Sequence, residues 1–286
     1  MTQIIPPSVT FKLDTGKIEK VLLQDRRLVV LALLSLSMLA WVYLVIMARQ
    51  MAVGDMTLMG MGASSAMPGS DMMAAMTMSQ MPWSLVTFLL MFIMWSVMMI
   101  GMMIPSAAPM ILLFARIQRR KLADQAPTAR IAAFTAGYLL IWTLFSLIAT
   151  GLQWVLTELR LLSPMMESTS QFLAVGVLLA AGIYQLTPLK MACLRRCQSP
   201  IGFLTSHWKD GALGSLKMGI EHGIFCLGCC WLLMALLFVG GVMNLTWVAI
   251  IATFVLLEKV VSKGEIVGRM GGVLLITFAG YVAFSP

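Results

Sequence analysis

Charge is scarce in this sequence. Only 11% of its 286 residues are Asp, Glu, Lys or Arg, about half the fraction of an ordinary soluble domain, so water is not its main solvent. The five cysteines are an odd number, scattered between apolar stretches and one basic loop, which does not describe an extracellular disulfide framework. No A-x-A-like site follows the first apolar run, so that run is expected to stay as a helix rather than be cleaved as a signal. Neither a nucleotide-binding loop nor a phosphorylated-aspartate motif is evident, which gives no basis for energy-driven pumping by this chain alone. Barrel-type alternation is also missing, and backbone groups in lipid must then be paired within helices.

Apolar residues fill the gap. They make up 60% of the chain, and mean hydropathy is +0.92. Runs of roughly 20 residues, the length that crosses a hydrocarbon core of about 30 Å, predict an all-α, polytopic membrane bundle. About seven transmembrane helices are expected, near 28–47, 84–104, 131–156, 171–189, 213–238, 243–258 and 266–284. With the N-terminus inside, all but Arg49 and Arg160 of the 20 lysines and arginines fall on inside segments. The positive-inside rule therefore predicts N-in/C-out. The net charge of +8 follows from that orientation and calls for no nucleic-acid partner. The expected organisation is a cytoplasmic segment 1–27, a first helix 28–47, an external loop 48–82 and a six-helix membrane domain 84–284.

Sulfur is the other excess. Ten of the 27 methionines lie in the 48–82 loop among Gly, Ser, Ala, Asp and Pro, a low-complexity composition. Thioethers are neutral soft donors suited to Cu(I) at any pH, although Met also adapts to irregular apolar surfaces. In the second span Met94, Met98 and Met102 share one helix face, and Met99 and Met103 an adjacent one. Such a stripe could pass a soft cation along, or simply fill a membrane helix. Pro105 is expected to kink this helix near its inner end.

The densest group is EHGIFCLGCCW at 221–231, with His222, Cys226, Cys229 and Cys230. Imidazole and thiolate together can hold Cu(I) or Zn(II), and ionisable groups inside a membrane are functional candidates by default. Glu221 is expected to support or balance this site. Gly219 and Gly223 form a G-x-x-x-G that lets a neighbouring helix approach. In an inside loop, Cys193 and Cys197 form C-x-x-x-C beside Arg195 and Arg196, which would favour thiolate; metal receipt, disulfide exchange and neither remain open there. Glu258 and Lys259 could pair with each other at the inner end of the sixth span.

The strings MWSVMMIGMMIPS (94–106), YQLTPLKMACLRRCQSP (184–200), EHGIFCLGCCW and the EK at 258–259 make the chain similar, over roughly 84–284, to a bacterial family of predicted metal-binding integral membrane proteins. That resemblance implies fold and class but no particular reaction or metal. The combination of external methionines, a M-x-x-x-M helix and cytoplasmic Cys/His groups also resembles the design of eukaryotic copper channels, without homology. The leading expectation is a multi-pass bacterial inner-membrane protein that acquires, relays or transports copper(I), with zinc as the other candidate metal. The alternatives are a subunit or assembly factor of a membrane copper enzyme, with a membrane or periplasmic protein partner, and a membrane thiol oxidoreductase.

Overall fold

The computed structural model describes residues 29–49, 83–121, 127–163 and 166–285. The N-terminal segment 1–27 and, from residue 50 onward, the methionine-rich loop lie outside the described residues. Among those described the chain is all-helical. The elements are α1 (Val29–Arg49), α2 (Leu85–Lys121), α3 (Pro127–Glu158), α4 (Gln171–Gln185), α5 (Pro188–Gln198), α6 (Pro200–Ser206), α7 (Gly211–Ala235), α8 (Leu237–Gly240), α9 (Leu245–Val260) and α10 (Gly264–Phe284). Among the described residues five stretches are long and apolar enough to cross a membrane: α1, Leu85–Arg120, α3, Gly211–Gly240 and α10, with α4 and α5 as a sixth if that bent pair is one span. The remaining expected span is α9, whose 16 residues rise only about 24 Å.

Two boundaries differ from the sequence reading. The second span was expected over 84–104, with Pro105 kinking the helix near its inner end; α2 continues through Pro105 and Pro109 for 37 residues. Pro105 has no N–H to give the carbonyl of Gly101, and Ser37 Oγ of α1 donates to that carbonyl instead, at 3.3 Å. A freed backbone acceptor in an apolar setting needs such a partner. The expected fourth span at 171–189 breaks near its end, where α4 and α5 meet at 64°. Thr187 precedes Pro188, a position biased against helix, and it is extended (φ −75°, ψ 147°) while its side chain caps α5. Ser84 caps α2 through the N–H of Thr87 at 3.2 Å.

The central pair is α3 and α7, with α2 packed on α3, α5 on α7, and α10 on α4. The expected G-x-x-x-G contact is present. A Cβ on Gly219 would run into the carbonyl of Phe134, and one on Gly223 would lie 2.9 Å from Ile141. The α4–α10 seam repeats the device: Gly182 and Gly272 each lie where a Cβ would come 2.9 Å from the other's carbonyl oxygen. Large apolar side chains such as Leu31, Leu39, Ile148, Phe172 and Leu274 remain exposed on the outside, as lipid-facing positions do in a membrane protein.

Gly219→Ala should therefore force α3 and α7 apart and lower stability by about 1–3 kcal/mol or more. Gly176→Ala, with open space around the added methyl, should be neutral or slightly stabilising. Thermal unfolding of the two variants in the same detergent checks the contrast.

Candidate metal centre

On α7, residues three and four apart share a face, so His222, Cys226, Cys229 and Cys230 all turn inward and are buried. Close approach of α3 at the glycines lays Tyr138 against His222, ring centroids 5.6 Å apart. Phe134 and Phe203 enclose the imidazole further. His222 Nδ1 is buried without a hydrogen-bond partner among the described residues. An orphaned buried imidazole nitrogen is costly unless something else uses it.

Cys226 is the hub. Its Sγ lies 3.1 Å from Tyr138 Oη and accepts from Lys259 Nζ at 2.8 Å. Tyr138 Oη also donates to the carbonyl of Met103 at 3.2 Å, and Lys259 Nζ to Ser106 Oγ at 3.2 Å. Four helices (α2, α3, α7 and α9) thus meet around one sulfur. The thiols of Cys229 and Cys230 donate back to the Cys226 carbonyl at 3.1 and 2.9 Å.

Cys193 and Cys197 do not form a separate loop site. They belong to α5, and α5 lies on α7. Cys193 Sγ occupies the space beside Gly228, where a Cβ would come within 2.9 Å of it. Cys197 stands next to Cys229. All five cysteines therefore converge on one stretch of α7. Arg195 instead binds Glu265 through Nε at 2.5 Å, and Arg196 lies over Phe225 at 5.1 Å.

Two expected partnerships change. Glu258 and Lys259 do not pair, because adjacent residues on a helix point about 100° apart. Lys190 of α5 donates to both Glu258 oxygens, at 2.6 and 2.8 Å, with both side chains buried. Lys259 turns the other way, to Cys226. Glu221 does not support the cysteines either, since its carboxylate binds Lys209.

A cavity of about 240 Å³ opens at this basic end of the bundle. Its donors are Met110, Cys197, His222 and Cys226, with Ser106 and Lys259 beside them. Met94, Met98, Met99, Met102 and Met103 are all at most 1% exposed but do not line it. They form the packed interior behind it. Met110, Tyr138 and the Lys259–Cys226 contact went unread in the sequence. Met110 lies past the expected inner end of the second span at 104, and Tyr138 carried no nearby motif.

The donor types fit a soft cation, since the residues lining one space include two cysteines, a methionine and a histidine. Among the described residues, no three His, Cys, Asp or Glu side chains already stand in metal-holding geometry. Donors ring a cavity here instead of closing a coordination cage.

A family model described as PpoB2 copper chaperone matches residues 92–282. No curated protein and no solved structure matches the chain.

Breaking the buried Lys190–Glu258 pair leaves one uncompensated charge, so Lys190→Met or Glu258→Leu alone should destabilise by about 3–5 kcal/mol. The double variant should recover much of that loss. Yield and thermal stability of the three purified proteins test the pairing.

Proposed function

Since the chain belongs to the PpoB2 copper chaperone family, we propose that it is a bacterial inner-membrane protein that holds copper(I) as cargo and relays it to a protein partner. The observation that carries this reading is the cavity ringed by Met110, Cys197, His222 and Cys226, with His222 Nδ1 left without a partner. Soft sulfur donors select Cu(I), whereas a structural zinc site asks for four tetrahedral N/S ligands. A carrier must also release its cargo. Cys226 is held by Lys259 and Tyr138, and those contacts compete with the metal for the thiolate. Cys229 and Cys230, whose thiols bond the Cys226 carbonyl, would be the next ligands as the ion leaves. The buried methionines of α2 would offer intermediate thioether contacts.

The same proposal includes the membrane arrangement. Seven spans, formed by α1, α2, α3, the bent α4–α5 pair, α7–α8, α9 and α10, run N-in/C-out. The cavity then opens near the cytoplasmic face, and the methionine-rich loop 48–82 collects copper outside. The positive-inside distribution of Lys and Arg supports this orientation.

Two experiments test the proposal. Competition against a chromogenic Cu(I) chelator should give tight binding by the full-length protein, weakened at least about tenfold by Cys226→Ser or by His222→Ala. Unchanged affinity in both variants would overturn the site. Reporter fusions should place the C-terminus outside the inner membrane; a cytoplasmic signal there would reverse the assigned direction.

A further inference from the structure

The cysteine cavity is large for a single ion. Its volume of about 240 Å³ is the share of about eight waters in the liquid, and a bare Cu(I) would fill a small part of it. The side chains around it do not close on a metal by themselves. Room of this size suits a small organic ligand beside the ion.

Charge says which kind of ligand. Among the described residues no carboxylate lines the cavity, whereas Lys259 does. The helices that supply the lining are α2, α5, α6, α7 and α9, and their acidic residues are Glu221 and Glu258. Both are bound to lysines, Lys209 and Lys190. On the same helices Arg116, Arg120, Arg196 and Lys217 are exposed. A cleft with one sign of charge around it draws the opposite sign, so this end of the bundle favours an anion over a bare cation.

Lys259 also has a donor to offer. It is 8% exposed, and an ammonium carries three N–H groups. One goes to Cys226 Sγ at 2.8 Å and one to Ser106 Oγ at 3.2 Å. The third has no partner among the described residues. A buried charged donor in that condition calls for an acceptor. A carboxylate alone would answer it but would be a poor ligand for a soft ion, which prefers sulfur.

We propose that a small thiol bearing a carboxylate enters this cavity as a co-ligand of copper(I), with its sulfur on the metal and its carboxylate on Lys259 Nζ. This rests on the copper reading above and names the ligand that shares the cargo with Cys226. The thiol leaves its proton in water and forms a copper–sulfur bond. One neutral donor, the His222 imidazole or the Met110 thioether, gives up its bond to copper in exchange. Copper stays Cu(I), and the neutral unit of Cys226 thiolate and copper becomes an anion that the ammonium balances. Lys259 thereby changes from the rival of a bare cation into the partner of an anionic complex.

The test uses the full chain in lipid nanodiscs, loaded with Cu(I) and dialysed against one of three radiolabelled thiols of similar size. Mercaptopropionate is anionic, mercaptoethanol neutral and mercaptoethylamine cationic. Copper and thiol bound per protein are then measured together. The expected result is one mercaptopropionate per copper, bound at least about tenfold more tightly than mercaptoethanol, as one charge-assisted hydrogen bond would give. Mercaptoethylamine should bind most weakly, and metal-free protein should hold none of the three. Lys259→Gln should bring the three affinities together. Copper retained with no thiol, or with the three thiols held equally, would overturn this inference alone. No copper retained under any condition would overturn the copper reading as well. The order among the thiols in the wild type decides the matter even if Lys259→Gln fails to fold, and an order that survives in a folded Lys259→Gln would overturn the role given to that ammonium.

Discussion

The contact on which the rest of the structure depends is the close approach of α3 and α7. It is possible because Gly219 and Gly223 present bare backbone to Phe134, Tyr138 and Ile141. Without side chains in the way, Tyr138 can lie on His222 and reach both Cys226 and the Met103 carbonyl. In an apolar surrounding no hydrophobic force favours helix association, so tight van der Waals packing and interhelical hydrogen bonds must supply it. The hydroxyl of Tyr138 does both, joining α2, α3 and α7 at the candidate centre.

The second organising fact is how the buried cations are placed. Lys190 goes to a carboxylate and Lys259 to a sulfur and a hydroxyl. The two come from different helices and act on opposite sides of the Glu258–Lys259 step. The first arrangement is an internal ion pair that ties α5 to α9. The second sets a positive group beside the sulfur most central to the cavity, in a medium where an unpaired charge would be expensive. On the proposed reading, a copper ion arriving at Cys226 would meet that ammonium as a competitor, which suits transient holding better than permanent storage.

Much of this was legible in the sequence, because the physics that governs it is local. Helical spacing alone put His222, Cys226 and one of Cys229 and Cys230 on a common face, and the glycine pair four residues apart announced a close helix contact. What failed were contacts that depend on tertiary placement. Glu258 and Lys259 are neighbours in sequence, and only the position of α5 shows that Lys190 takes the carboxylate. Cys193 and Cys197 looked like an independent loop pair because nothing local says that α5 folds back onto α7. The extent of α2 beyond 104 went unread for a different reason. Proline's cost in a helix depends on whether its orphaned carbonyl finds a partner, and Ser37, 64 positions away, provides it.

The unbroken course of α2 has a further consequence. Met91 and Met110 are fixed in rotational phase, because one helix carries both. Inserting or deleting a single residue between them would turn one end by about 100° relative to the other, swinging a thioether away from its neighbours even if every side chain kept its identity. A change of length in this stretch is therefore costlier than the same change in a loop joining two of the other helices.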